Sequence, residues 1–569
     1  QKLNFITEGL RFKALASFKN WSSTTNSASA GWNKYHLQDF SVDDNGVYSF
    51  VTRLQNESGG EVSTDLKPGV ANSGDRRFYF QAIMDYNRTF GKHDVNAMFI
   101  YNQDELVTQL FSGDLIAALP KRKQGVAARL SYAYDGKYLA EVNMGYNGSE
   151  NFAKGHRWGF FPSIAVGYNI SEEAFFEPLK NVFSNMKIRA SWGLVGNDNI
   201  GGARFVYMPT INLTGTGYTT GLDGDITYKG PVYSRYGNPE VTWEVGKKVN
   251  VGLDLQLFNS LNLTMDYFHE TRTDIFQERG TIPQYLGTAG TKVFGNLAAM
   301  KNQGFDFAAD FNKKIGKDWF ISFKGTFTYA HNEITKYDES PKYAFQSKVG
   351  QSANIPSIMI SDGLFKDPDD VKNSNQQIGG NLSAGDIKYV NISKLYGYDD
   401  DIVDISDWVW AKNPTVPEIV YGFGPSIRWK NLDFSFFFQG VAKVSLVMSD
   451  FHPFGDNSLR NVLTWIADDR WSPDNQNINA TYPRLTRDTS VNNTQRSDYW
   501  LRNAAFIKLK NAEIGYTYKN MRFYVSGMNL ATFSPFKHWD PEQGGGNGLK
   551  YPTQRVFNFG FQMTINNNR

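Results

Sequence analysis

The chain contains no cysteine, which excludes a disulfide framework and any thiolate metal site. No run of about 18 apolar residues occurs, which excludes a membrane-spanning helix. Net charge is almost absent, with 59 Lys and Arg against 57 Asp and Glu; a nucleic-acid binder relying on bulk attraction would need a basic excess. The seven histidines are scattered singly, and no HExxH pair, GxSxG elbow or phosphate-loop lysine accompanies them. Soluble catalysis therefore has little to stand on. The opening "QKLNFITEGLRFKALASF" also lacks the basic, apolar and small regions of a cleavable signal. It reads as a chain whose signal has been removed, or one that begins inside a longer gene product.

Aromatic residues and glycine are plentiful, with 43 Phe, 30 Tyr and 52 Gly among 569 residues. That mixture suits strands and turns better than helices. The length suggests two or three domains, or one large closed sheet. The stretch "FNFGFQMTI" puts Phe557, Phe559, Phe561, Met563 and Ile565 on one row, and Asn558, Gly560, Gln562 and Thr564 on the other. "VNVGLDLQL" repeats the pattern with Val249, Val251, Leu253, Leu255 and Leu257, as do "LNLTMDY", "GFDFAADF" and "NLDFSFFFQG". A period of two gives a strand with one apolar and one polar face.

These strands arrive in pairs joined by short turns, at Asp135–Lys137, Phe258–Ser260, Lys313–Lys317, Trp429–Asn431 and Tyr518–Asn520. Long polar loops separate the pairs, near residues 20–75, 196–243, 273–302, 331–416, 444–502 and 531–553. About 16 strands of roughly 10 to 14 residues are read in this way. Because short turns alternate with long loops, every long loop falls at one end. A soluble sandwich has no reason for that layout, whereas a transmembrane β-barrel predicts it. The fold class expected is all-β, a transmembrane antiparallel β-barrel, with residues 1–569 forming a single barrel domain. The row from Phe557 to Ile565, and Val251, Leu253 and Leu255, then face lipid. An Arg or Lys at mid-membrane on such a row would cost about 2–4 kcal/mol, and none occurs from Phe557 to Ile565.

From Tyr132 to Phe176, "YAYDGKYLAEVNMGYNGSENFAKGHRWGFFPSIAVGYNISEEAFF", the chain resembles the SusC/RagA family of TonB-dependent outer-membrane transporters. Further matches follow in the family's order. They are "KIRASWGLVGN" (Lys187–Asn197), "NPEVTWEVGKKVNVGLD" (Asn238–Asp254), "GNLAAMKNQGFDF" (Gly295–Phe307) and "DDRWSPDNQNINATYPRL" (Asp468–Leu485). "FIKLKNAEIGYTY" (Phe506–Tyr518) and "HWDPEQGGGNGLKYPTQRVFNFGF" (His538–Phe561) complete the series. Members of this family begin with a signal, usually a small sandwich extension, a TonB-binding segment and a plug, none of which is recognisable here. The resemblance therefore implies the last 16 or so strands of a barrel of about 22, with plug and first strands in sequence outside this chain.

What the resemblance implies about function is import of an oligosaccharide, or of peptides as in some members, across the outer membrane of a Gram-negative bacterium. Glycan is expected in preference to peptide. The expected partners are a SusD-like surface lipoprotein that lids the barrel, the TonB complex acting through a segment outside this chain, membrane lipid and lipopolysaccharide, and the cargo. No covalent chemistry is implied. A siderophore receptor is the runner-up. A secreted carbohydrate-binding β-protein without transport, and an adhesin-like passive barrel, are readings of other classes.

Aromatic faces on loops could stack on sugar rings while polar groups fix orientation. The candidates are Trp408, Trp410, Trp465, Tyr499 and Trp500, with Tyr218 and Tyr228 in "GTGYTTGLDGDITYKGP". Packing of the loops against each other is the alternative role, and Trp471, in the family's "RW-x-P" pattern, reads as structural. Trp408 and Trp410 share one side if that segment is extended. Family members often carry a calcium-like Asp-x-Asn-x-Asp-Gly loop, which here departs to Asn391, Ser393 and the run Asp399, Asp400, Asp401. Calcium needs six to eight closely spaced oxygens, so these three aspartates are weak candidates beside a solvated acidic loop. Asp369 and Asp370, and the glycines of "EQGGGNG" (Glu542–Gly548), read as loop charge and flexible loop. The chain also runs past its last strand as "NNNR", whereas a terminal Phe is common in such barrels.

Overall fold

The computed structural model of the chain describes residues 2–55, 60–108, 116, 119–283, 291–398, 400–449, 462–486 and 490–565. Asp399 and the tail 566–569 lie outside these residues.

The alternating segments become the strands of one antiparallel sheet with sixteen members. In chain order they are β1 (Leu10–Ser29), β2 (Lys67–Phe90), β3 (His93–Thr108), β4 (Lys121–Tyr134), β5 (Tyr138–Ser149), β6 (Trp158–Asn169), β7 (Phe183–Asn197) and β8 (Glu244–Leu257). The second half comprises β9 (Leu261–Glu278), β10 (Phe294–Ile315), β11 (Trp319–Lys336), β12 (Ile419–Trp429), β13 (Leu432–Ala442), β14 (Phe506–Tyr518), β15 (Met521–Phe533) and β16 (Val556–Met563). Each strand pairs with the strands before and after it, and β1 and β16 form the two edges. Hairpins at one end close tightly. Phe258 and Asn259 both have φ of 51°, and Ser260 N–H donates to the Leu257 carbonyl at 2.9 Å. That is the primed turn whose twist matches paired strands.

The register carries the two faces across the sheet. Val251 lies opposite Ala190 and Tyr267, Leu253 opposite Ile188 and Met265, and Leu255 opposite Met186 and Leu263. At the far edge, Phe559 lies opposite Val525 and Phe561 opposite Phe523. Cross-strand pairs of this kind contribute about 0.2–1 kcal/mol each. Among the described residues nothing covers the apolar row of β16: Phe559 is 83% exposed. Leu253 and Leu255 are half-buried by lateral neighbours, within an uncovered row that includes exposed Val251 and Tyr267. Aromatic pairs mark both ends of the band, Trp319 on Trp429 at 5.7 Å near the tight turns and Tyr146 on Trp158 at 4.8 Å near the long loops. Such girdles sit at membrane–water interfaces.

Strand lengths run from 8 to 24 residues, a wider spread than the pattern suggests. The upper parts of β1 and β2, "NWSSTTNSAS" and "KPGVANSGDRR", are polar on both faces, so they lose the alternation that marks a strand while keeping their ladder from Asn20–Arg76 to Ser29–Lys67. The sequence places them in a loop. A further hairpin, Tyr35–Val42 with Tyr48–Leu54, tops this arm.

Almost all the buried apolar side chains lie in the long connections. Met359, Leu364, Ile387, Tyr389, Tyr482, Trp500 and Phe536 belong to one cluster that joins described residues of the connections after β11, β13 and β15 into a packed cap. A smaller core of Phe152, Val206, Val241 and Trp243 joins the connections around 150–157 and 198–243.

Candidate functional site

Two surfaces can meet a ligand, the polar face of the sheet and the cap at its long-loop end. The polar face is organised by arginines that each span three strands. Arg189 on β7 reaches over Gly252 of β8, donating to Asp266 of β9 at 2.6 Å from both terminal nitrogens and to Asp254 of β8 at 3.1 Å from Nε. A Cβ on Gly252 would come within 2.5 Å of the guanidinium carbon, so only glycine leaves the passage. Arg522 on β15 does the same over Gly515 of β14, donating to Glu513 at 2.6 Å and to Asp433 of β13. Thr328 donates to Asp306 at 2.6 Å between β11 and β10. This face carries paired charge and hydroxyl groups along the strands, whereas the rows of the opposite face carry ion pairs toward the long loops, such as Lys301–Glu333 at 2.9 Å and Arg122–Glu105 at 2.6 Å.

The cap is held by buried polar groups as well as by its apolar cluster. Asp386, fully buried, accepts from Arg484 at 2.7 and 3.0 Å, from Asn493 at 2.7 Å and serves the Ser383 N–H at 2.8 Å. Burial pushes the phenols of Tyr389, Tyr482 and Tyr499 well above their ordinary value. Burial, then the nearby Arg502 charge, holds His538 below the usual imidazole range. Tyr389 donates to the Asn492 carbonyl at 2.9 Å and Tyr499 to the Ala480 carbonyl at 2.6 Å, the pairing that a buried neutral hydroxyl needs.

The aromatic candidates separate into two groups. Trp500 is only 4% exposed, its indole N–H donates to the Asn493 carbonyl at 2.8 Å, and its ring meets Tyr482 edge-on at 5.4 Å. Tyr499 donates to the Ala480 carbonyl at 2.6 Å, and Trp465 lies 4.4 Å from His538. Trp408 packs against the same cluster, with Arg496 at 5.6 Å over its ring. Trp410 turns to another neighbour and donates to the Ser347 carbonyl at 2.8 Å. Trp471 is buried against Gly385. Tyr218 and Tyr228 lie apart on the hairpin Thr210–Thr220 with Ile226–Arg235, where Tyr218 is 74% exposed.

Among the acidic-loop candidates, Asp400 accepts from Ser393 at 2.9 Å and from Asn391, while Asp401 pairs with Lys394 at 2.8 Å. Among the described residues no group of three or more His, Asp or Glu is placed to hold a metal ion. Asp370 pairs with Lys388 at 2.8 Å. Burial works to raise its carboxyl, and the bonds from Lys388 and the Lys366 N–H bring it below the usual range.

A two-faced sheet of this kind, with its loops gathered at one end, has known relatives. The family model described as TonB dependent receptor-like, beta-barrel, matches residues 4–530. The chain belongs to that family. It is therefore an outer-membrane β-barrel protein, and its polar face is the barrel lumen. A TonB-dependent receptor, P3, of Formosa agariphila is 25% identical over 562 residues, covering 88% of this chain and 54% of that protein. TonB-dependent receptor SusC of Bacteroides thetaiotaomicron is 27% identical over 470 residues, covering 76% of this chain and 43% of that protein. The chain thus spans about half the length of these relatives. The solved RagAB peptide transporter superposes with a TM-score of 0.69 at 20% identity, covering 98% of this chain and 60% of that one, which shows a shared fold. The SusC-like resemblance and the barrel class both hold.

Sequence reasoning missed one cluster. Lys508 of β14 is fully buried, with its ammonium 2.7 Å from Asp540 and 2.5 Å from Glu542. The signal was present in "FIKLK" and "DPE", but nothing in either stretch says that the two meet.

Proposed function

We propose that this chain forms the lumen wall and loop cap of an energised importer of a nutrient oligomer, a glycan in preference to a peptide. It would work with a SusD-like surface lipoprotein over its mouth and be driven by the TonB complex. The observation that carries the reading is the register that puts bare apolar rows on one face of the sheet and Arg-centred networks on the other. A secreted binding protein would have to cover rows such as that of Phe559; an outer-membrane barrel leaves them to lipid. Exposed Tyr218 and Tyr228 supply ring faces that suit pyranose stacking, which supports the glycan reading.

A peptide cargo has its own support in the fold shared with the RagAB peptide transporter. Uptake distinguishes the two. Cells carrying or lacking the gene are given labelled oligosaccharides and labelled oligopeptides as separate sole nutrients. Loss of oligosaccharide uptake alone supports the glycan reading, loss of peptide uptake alone replaces it, and loss of neither ends the import reading. Co-purification of a stoichiometric surface lipoprotein from outer membranes tests the lid.

A further inference from the structure

Two stretches that carry the family resemblance, "FIKLK" on β14 and "HWDPEQGGGNG" beyond β15, meet in a way that neither the barrel nor the cargo reading requires. The connection 534–555 returns over the long-loop end and touches the wall through charge. Lys508 Nζ lies 2.9 and 2.7 Å from the two Asp540 oxygens and 2.5 Å from Glu542, while Lys510 Nζ lies 2.8 Å from Glu542. The Lys508 side chain is 0% exposed. An ammonium with no contact with water keeps its charge only if carboxylates surround it.

The register explains why both lysines reach the loop. A bulge sets Asn511 opposite Phe437 and Leu509 opposite Phe438, so Lys510 is the extra residue and Lys508 stays on the lumen face. On the loop, Asp540 also accepts the Glu542 N–H at 3.1 Å, and Trp539 Nε1 donates to the Gly544 carbonyl at 3.0 Å. The segment then pairs with the neighbouring connection: Gly546 N–H donates to the Val447 carbonyl at 2.9 Å and Ser449 N–H to the Gly546 carbonyl at 3.0 Å. Phe536 anchors its start in the cap cluster. The segment is thus internally tied; at its ends Ser534 donates to the Ala505 carbonyl at 2.8 Å and Asn529 of β15 to the Gln554 carbonyl at 2.9 Å, and between those ends the ionic cluster ties it to β14.

We propose that residues 536–551 are a strap across the outer mouth of the lumen and that the Lys508–Asp540–Glu542–Lys510 cluster is its latch. Closed, the latch fixes the strap to β14 and, through Val447 and Ser449, fixes the neighbouring connection. Broken, it frees residues 540–551 from β14, while Phe536 and Trp539 keep the start of the strap in the cap and the wall stays paired. The demand that the strap move during uptake rests on the import reading; the latch itself does not.

Two experiments on the full chain test this, the first on protein purified from outer membranes into detergent and the second in cells. In the first, amide hydrogen exchange is compared among the unaltered chain, Lys508→Met and the milder Glu542→Gln. Exchange in 540–551 and 445–449 is expected to rise by at least about tenfold in Lys508→Met and by less in Glu542→Gln, with β14 and β15 unchanged. Unchanged exchange in the strap of both variants, or equal loosening of strap and wall, overturns the latch. In the second, Lys510→Cys and Glu542→Cys are combined in a chain with no other cysteine and joined by a short bifunctional thiol reagent. Uptake by cells carrying the joined form should fall by about tenfold against the same variant before joining, as expected when a moving lid gates turnover. Undiminished uptake after complete joining overturns the moving strap. If neither form takes up any cargo while the exchange result holds, the import reading fails and the latch stands.

Discussion

Arg522 on β15 and Asp433 on β13 are joined across the strand between them, with the Nε contact at 3.1 Å and Gly515 of β14 lying beneath. A Cβ at Gly515 would come within 2.6 Å of the guanidinium and 2.7 Å of the carboxylate. Gly515→Ala should therefore destabilise the barrel by about 1–3 kcal/mol through overpacking. Gly252→Ala should act in the same direction under Arg189. Urea unfolding in lipid vesicles checks both, and Gly560→Ser should serve as a poor control because its Cβ meets the Tyr524 ring at 2.0 Å.

The apolar rows predict unequal costs for the same change at neighbouring positions. Phe559→Arg puts a charge into hydrocarbon and should cost about 2–4 kcal/mol. Asn558→Arg, one residue away on the lumen face, should cost far less. Equal losses for the two, measured by unfolding from vesicles, would mean that Phe559 does not face lipid.

The strand faces were legible because each row from Val251, Leu253 and Leu255 to Phe557, Phe559 and Phe561 repeats with period two, and the cross-strand register keeps each row on one face of the sheet. The polar arm of β1 and β2 was not legible, because water on both faces removes the alternation while the backbone ladder persists. The cap was not legible either. Its core takes single residues such as Met359, Ile387, Tyr482 and Phe536 from segments far apart in the chain, and no period links them. Trp465, Tyr499 and Trp500 attracted attention as aromatic faces, but a composition-rich loop looks the same whether its rings point outward or pack together. Lys508 was hidden for a related reason: a lysine in a strand pattern reads as wet, and only the returning loop makes it dry.

The latch has a pH signature. Burial works to raise the Asp540 and Glu542 carboxyls, and the Lys508 bonds, joined by the Glu542 N–H for Asp540 and by Lys510 for Glu542, bring both below the ordinary range. Groups lowered in the folded state add stability that is complete above their unfolded values, about 3.9 for Asp and 4.3 for Glu, and lose it as pH falls through the folded values. Protease nicking within 536–551 should be slow and constant from neutral pH down to about 5, then rise as acid is added. In Lys508→Met, where the latch is already broken, nicking should be fast at neutral pH and change little as acid is added. A nicking rate independent of pH over the acid range in the unaltered chain would remove these carboxylates from the latch.

The two groups of aromatic residues should respond differently to the same change. Trp500→Ala empties a buried site and removes a donor to Asn493, so it should destabilise the cap by about 3–5 kcal/mol. Its effect on cargo would then follow from a loosened cap, visible as faster exchange at Tyr389, Tyr482 and their neighbours. Tyr218→Ala removes a ring that is 74% exposed, so cap exchange should not change. If Tyr218 stacks on a pyranose, its loss should weaken oligosaccharide binding by about 1 kcal/mol, roughly fivefold, with a comparable further loss when Tyr228→Ala is added. Calorimetric titration of the outer-membrane protein with the transported oligosaccharide separates these outcomes. Full affinity in the Tyr218→Ala, Tyr228→Ala double variant would take this hairpin out of cargo recognition, since an exposed ring that contributes nothing to stability or binding has no other contact through which to act.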